Sequence, residues 1–287
     1  MIRTVFFGSS EYSIIILQSL LKADNFEVVT VVSKEDKPTG RQQIITPNPM
    51  AKFAKENNLN LLQPANFTPD FIDKFKKLDP DLGIVVAYGP PYFTKEMINI
   101  PIFKIVNIHP SPLPKYRGAT PGPWQIINGE TESAVSFFQI DALPDHGSLI
   151  AQIPFKIEPN ETAQTFYNKA FNLAASNLDS ILAKYINNPN ELIIQDHSQK
   201  TYFPKFTKES AQIDWSWSIQ KIERFIRALS LWPIAWTYVE NQFHQKLKMK
   251  IYSSILDKEN LVPKDVQVEG KKITSWRDIS QYYIILK

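Results

Sequence analysis

Asn107 and His109 stand two residues apart at the end of the apolar run KIVNIH, and three prolines follow in PSPLP. In a strand, residues i and i+2 project to the same face, so the spacing presents an amide and an imidazole together. The prolines fix φ and remove backbone donors, which halts the strand just past the pair. A second stretch, SFFQIDALPDHG (136–147), reads as another strand followed by a loop holding Asp141 and Asp145. A carboxylate brought near His109 would orient its ring and stabilise a positive charge formed there during reaction. An amide donor such as Asn107 can hold a carbonyl oxygen as it becomes an oxyanion. No serine or cysteine nucleophile with a base partner accompanies them, and no metal-ligand spacing is present. The set suits direct acyl transfer from a donor to an amine, with His109 and Asp145 handling the proton.

The elements that must position these residues follow from the patterning. Over the first 190 residues, short apolar runs alternate with amphipathic segments, the sign of βαβ units. Strands are predicted at 4–8, 27–33, 82–88, 104–109 and 134–140, and helices at 13–23, 49–58, 69–78 and 123–130. A long amphipathic helix is predicted over 162–186, capped by Thr162 or Asn160. The fold class expected is α/β, a Rossmann-like, mainly parallel sheet with helices on both faces. The stretch DHSQKTYFPKFTKES (196–210) is polar and proline-broken and reads as a linker. After it, helix 218–229 and the strand-like runs AWTYVE and KLKMKIYSS form a small C-terminal β-rich unit. The first strand ends in FGSSEYS with one glycine, short of the dinucleotide fingerprint, so neither NAD nor flavin is expected, and no P-loop is present.

Composition narrows the classes further. The 287 residues include no cysteine, which excludes disulfides and thiolate metal sites. No run reaches the ~18 apolar residues of a spanning helix. Glu11 interrupts the early apolar run and no cleavage site follows, so the expectation is a cytoplasmic protein. The net charge of +3 is uneven: residues 201–287 hold 14 Lys+Arg against 9 Asp+Glu, and residues 1–200 hold 18 against 20. The basic C-terminal third could face a polyanion such as RNA.

NIHPSPLPKYRGATPGPWQIINGE followed by FFQIDALPDHGSLIA resembles the folate-dependent formyltransferases, whose core is Asn-x-His-x-Ser-x-Leu-Pro-x-x-x-Gly with a downstream Asp before Gly. KEDKPTGRQQIITPNPMAKFAKENNLNLLQP, VVAYGPPYF and KESAQIDWSWSIQKIERFIRALSLWPIAW are similar to the branch that formylates methionyl-tRNA. The resemblance runs from residue 2 to about 252. It implies Asn107, His109 and Asp145 as the catalytic trio, with 10-formyltetrahydrofolate as donor and no metal. It implies a folate pocket lined by Ser111, Pro112, Leu113 and Pro114, with Ala87, Tyr88, Gly89 and the backbone near Gln139 and Asp141 close by. For tRNA it points to Lys34, Lys37 and Arg41 in the loop at 34–49, with Lys205, Lys208, Lys246, Lys248 and Lys250 adding electrostatic attraction. KLKMK alternates lysine with apolar residues, so one strand face would be cationic. The implied partners are initiator methionyl-tRNA and the folate donor, with no membrane, and the chain is expected to act as a monomer. The domains expected are catalytic (1–190), linker (191–207) and a reduced tRNA-binding domain (208–287).

Several positions depart from the family's pattern. Pro112 stands where Leu is usual, Gln42 replaces a second glycine after Arg41, and His146 follows Asp145 where a small residue is usual. His146 is expected to point to solvent. Strands between KIYSSILDKENLVPK and EGKKITSWRDISQYY are expected to be missing, leaving an OB-like C-terminal domain shortened or open. The competing readings are an N-formyltransferase for a nucleotide-linked amino sugar and, outside enzymes, an RNA-binding protein that retains the fold. A phosphoribosylglycinamide formyltransferase would not need residues beyond about 200.

Overall fold

A computed structural model describes all residues except Arg41 and Glu259. Strand β1 (Ile2–Gly8) leads through helix α1 (Glu11–Leu20) to β2 (Phe26–Val32), and the short strands β3 (Lys37–Thr39) and β4 (Ile44–Thr46) follow. Next come α2 (Pro49–Glu56), β5 (Leu61–Leu62), α3 (Pro69–Lys77), β6 (Leu82–Val86), α4 (Lys95–Asn99) and β7 (Ile105–His109). The chain continues through α5 (Pro121–Asn128), β8 (Glu132–Gln139), β9 (Leu149–Lys156) and α6 (Ala163–Asn187). Helix α7 (Ile219–Ala228) then precedes β10 (Trp236–Asn241), β11 (Lys246–Ile251), β12 (Ser254–Asp257), β13 (Asn260–Pro263) and β14 (Asp265–Val268). The last elements are β15 (Thr274–Ser275), α8 (Trp276–Ile279) and β16 (Tyr283–Leu286). Two compact units result: Met1–Arg117 with Ala134–Phe155 and Asn168–Tyr202, and Gly118–Ser133 with Lys156–Tyr167 and Phe203–Lys287.

The first unit is built on a sheet of order β5-β2-β1-β6-β7-β8-β9. Its strands β5, β2, β1, β6 and β7 pair in parallel, as the alternating pattern requires. Parallel strands covered on both faces read as unbroken apolar runs. Accordingly, every residue of β6 is buried, and Val5, Phe6 and Phe7 of β1 are inaccessible to solvent. Helix starts are marked locally: Asn48 and Thr68 cap α2 and α3 immediately before a proline, and Ser10 caps α1. Helix α6 opens on reciprocal bonds between Thr162 and Thr165, so Thr162 is its cap rather than Asn160.

Strand β8 runs antiparallel to β7, with His109 opposite Ser136 and Val106 opposite Gln139. The turn after β8 therefore starts at the amino end of β7, where the Ile140 N–H donates to the Ile105 carbonyl at 2.8 Å. It has to double back along β7 to meet His109.

The second unit holds an antiparallel sheet of order β15-β14-β11-β10-β16 and a separate β12–β13 hairpin. Between KIYSSILDKENLVPK and EGKKITSWRDISQYY, where strands are expected to be missing, the chain forms one short strand, β14. The sheet stays open, with β15 and β16 as its edges. Helix α7 buries Ile222, Phe225 and Ile226, and its Arg224 Nε donates to the Ile127 carbonyl of α5 at 3.0 Å. Among the described residues, no helix is long and apolar enough to cross a membrane.

Candidate active site

Strand β7 delivers Asn107 half-buried and His109 buried, on one face. The His109 Nε2–H donates to the Tyr116 carbonyl at 3.1 Å. A carbonyl only accepts, so Nε2 carries the proton in the neutral ring and the lone pair lies on Nδ1. That Nδ1 faces Asp145 Oδ1 at 3.8 Å, with the His109 and Asp145 side chains 8% and 14% exposed. The gap is too long for a direct hydrogen bond but close enough for charge pairing once Nδ1 takes a proton. Among the described residues, no hydrogen bond engages the Asn107 amide, which leaves its donors open to a ligand. The arrangement offers a proton acceptor, a nearby carboxylate and an uncommitted amide donor.

Asp145 sits in a turn with φ of +50°. Two residues on, Gly147 lies against the Gln139 backbone so closely that an added Cβ would stand 1.8 Å from the Gln139 carbonyl oxygen. Gln139 itself is held in place, its N–H donating to the Ser148 carbonyl at 3.0 Å and its Nε2 to the Tyr185 hydroxyl at 2.6 Å. Asp141 closes the start of the turn, accepting from the Leu143 N–H at 2.9 Å and from His146 Nδ1 at 2.6 Å. His146 is thus not turned to solvent as the sequence predicts: its ring stacks on His197, centroids 3.9 Å apart at 8°. The pair was invisible in sequence because the two histidines come from segments with no local pattern in common.

The proline segment has two sides. The Ser111 and Leu113 side chains are buried, Leu113 packing with Phe138 and Leu149, whereas Pro112 and Pro114 are half-buried. The segment is fixed from behind: Ser136 Oγ donates to the Ser111 carbonyl at 2.6 Å, and Gln152 Nε2 to the Leu113 carbonyl at 3.0 Å. Along the neighbouring strand end, Ala87 and Gly89 are exposed with φ of +46° and +72°. Tyr88 between them is buried in a cluster with Phe7, Phe67 and Phe93, and burial pushes its hydroxyl up to about 12. Of the residues expected to line the folate pocket, Pro112 and Pro114 are half-buried and Ala87 and Gly89 exposed, whereas Ser111, Leu113 and Tyr88 are buried.

Of the basic residues expected to meet tRNA, Arg41 lies outside the described residues. Strands β3 and β4 pair antiparallel, Lys37 opposite Thr46, into an exposed hairpin. Lys34 at its base rests its ammonium 4.0 Å from the Tyr88 ring centre, and burial, with the charge of Lys37, pulls it down to about 8. In the second unit, Met249 points inward and Lys246, Lys248 and Lys250 share the other face of β11, as the alternation in KLKMK predicts. Lys246 lies 4.0 Å above the Tyr238 ring, and Lys248 3.6 Å above that of Trp236. A cavity of about 400 Å³ brings Lys208, Lys248 and Lys250 together with Trp232, Trp236 and Tyr252. Lys205 is exposed, 5.8 Å over the Trp232 ring. The aromatic partners of these lysines were missed in the sequence, although WPIAWTY beside an alternating lysine strand carried the signal.

An amide, an imidazole and a carboxylate gathered at one strand of a parallel-dominated sheet suit an enzyme of acyl transfer to an amine. The chain belongs to the formyl transferase family, whose description "Formyl transferase" matches residues 2–181, with "Formyl transferase, C-terminal domain" matching 205–264. Within that family its relatives carry a narrower name. Methionyl-tRNA formyltransferase of Acetivibrio thermocellus is 37% identical over 260 residues, covering 90% of this chain and 81% of that protein. Its counterpart in Flavobacterium johnsoniae is 37% identical over 276 residues, covering 94% and 86%. Among solved structures, WlaRD, a sugar 3N-formyl transferase in the presence of dTDP and 5-N-formyl-THF, aligns with a TM-score of 0.62 at 25% identity, covering 96% of this chain and 97% of that one.

Proposed function

We propose that the chain transfers the formyl group of 10-formyltetrahydrofolate to the α-amino group of methionyl-tRNA. One observation carries the chemistry: His109 has its Nε2 committed to Tyr116, so its free Nδ1 faces Asp145 at 3.8 Å beside the open Asn107 amide. The amine nitrogen attacks the formyl carbon, and the carbonyl oxygen becomes an oxyanion that takes a hydrogen bond from Asn107. His109 Nδ1 accepts the amine proton, and Asp145 balances the imidazolium. The intermediate collapses with cleavage of the bond to N10 of the folate, which receives the proton and leaves as tetrahydrofolate. Pro112, Pro114, Ala87 and Gly89 form the donor's slot, and its rigidity lowers the ordering cost of binding.

The acceptor assignment draws on the relatives named methionyl-tRNA formyltransferase and on the lysine–aromatic face of the second unit. Lysine over tryptophan and tyrosine rings suits phosphate contact and base stacking together. Lys34, Lys37 and Arg41 are assigned to the same partner. In this reading the enzyme works in the cytoplasm as a monomer. Purified protein supplied with 10-formyltetrahydrofolate should formylate initiator methionyl-tRNA, and His109→Ala should abolish turnover. Formylation of a dTDP-linked amino sugar but not of methionyl-tRNA would overturn the acceptor assignment and favour the sugar reading.

A further inference from the structure

The turn that carries Asp145 is bonded by a side chain 50 positions further along the chain. Past α6 the chain turns back and pairs with the start of β9, Leu149 and Ile193 exchanging backbone bonds at 2.8 and 2.9 Å. This pairing lays Gln195, only 3% exposed, beside the catalytic turn. Its amide Nε2 donates to the Asp145 carbonyl at 3.1 Å and to the Gly147 carbonyl at 2.7 Å, spending both hydrogens on the turn. Its Oε1 accepts from Arg117 Nη2 at 2.6 Å, and the same Nη2 reaches His197 Nδ1 at 2.8 Å.

Arg117 is 6% exposed, and burial lowers its basicity while the charges of Asp145 and Asp141 support the cation. It belongs to the stretch that also orients the base. The Tyr116 carbonyl takes the His109 Nε2–H, and the Tyr116 and Arg117 N–H groups donate to Thr201 Oγ1 and the Thr201 carbonyl at 2.8 and 3.0 Å. One stretch, 116–117, therefore bonds the imidazole through the Tyr116 carbonyl and Gln195 through the Arg117 side chain.

We propose that Gln195, oriented by Arg117, is a positioning residue that holds Asp145 at its working distance from His109. A turn with positive φ at a non-glycine residue persists where its surroundings over-determine it, and the two Gln195 bonds supply that constraint. The assignment rests on the reading of Asp145 as the charge partner of His109.

The test is a double-mutant cycle on the full-length enzyme. Gln195→Glu keeps the length and the acceptor for Arg117 but has no hydrogen to give the two carbonyls. Gln195→Met removes both bonds without adding charge, and serves should the glutamate variant fold poorly. Each is measured alone and in an Asp145→Asn background, with thermal melting to confirm folding. Expected is a drop in kcat of about 10-fold or more with both KM values within about twofold of wild type, shrinking to less than about twofold in the Asp145→Asn background. An equal drop in both backgrounds would overturn the positioning role and leave a structural one, and unchanged kcat would overturn it outright. In both cases the catalytic reading stands. Wild-type kcat in Asp145→Asn alone would remove Asp145 from the mechanism, and the positioning role with it.

Discussion

Gly147→Ala puts a single methyl where the fold leaves no room. The new Cβ would stand 1.8 Å from the Gln139 carbonyl oxygen, 1.2 Å short of the 3.0 Å below which real Cβ contacts are essentially absent. Gln139 cannot yield, because it is paired opposite Val106 in the sheet and bonded to Ser148 and Tyr185. The turn must move, and Asp145 with it. A shift of that size away from the base would widen the separation from Nδ1 from 3.8 Å to roughly 5 Å. At an effective dielectric of about 20, the attraction to a protonated imidazole then weakens by about 1 kcal/mol, or about sixfold in rate. Lost alignment raises the effect, since a 1 Å misplacement costs up to about 10²-fold. Single-turnover formylation of methionyl-tRNA should therefore slow by about 6- to 100-fold in a protein that still melts cooperatively. Wild-type turnover in folded Gly147→Ala protein would refute the claim that this turn sets the position of Asp145.

Three further outcomes are expected. Asn107→Ala should lower kcat by about 10²–10³-fold without weakening folate binding by titration, as for loss of an oxyanion donor. Lys34, held down to about 8 by burial, is cationic below that pH and neutral above it. The KM for tRNA should accordingly rise between about pH 7 and 9 in wild type and stay flat in Lys34→Arg. His197 is depressed below its ordinary 6.5 by loss of solvent around its ring and by the charges of His146 and Arg117. The unfolded chain then binds the proton first, so this contribution to stability is complete above 6.5 and is lost as pH falls through the folded value. Melting temperature should drop more steeply below pH 6.5 in wild type than in His197→Gln.

The placement of the candidate site was legible where local spacing dictates geometry. Asn107 and His109 share a face because strands alternate, and the lysine face of β11 follows from the same rule. The apolar runs located β1, β2, β6 and β7 because strands buried on both sides admit little else. Strand direction has no such signature, so the antiparallel course of β8 and the doubling back of its turn were not readable. Burial of the Tyr88 ring was equally hidden, since a tyrosine next to exposed alanine and glycine carries no sign of which way it turns. His197 fell in a stretch whose polarity reads as linker, and Gln195 just before it, within the expected linker bounds of 191–207. Their role depends on pairing with β9, a contact that no local pattern encodes.

The latch on Asp145 also has an order of arrival. Gln195 follows Asp145 by 50 positions, a delay of about 3–10 s at ordinary translation speeds of roughly 5–20 residues per second. During that interval an emerging chain already holds the residues of β7 and β8, while the carboxylate's turn lacks its clasp and Thr201, which ties down Tyr116 and Arg117, is still to come. The clasp on Asp145 is therefore among the last contacts the first unit can make. A nascent chain stalled before residue 195 would carry all seven strands of the first unit's sheet without the clasp on Asp145.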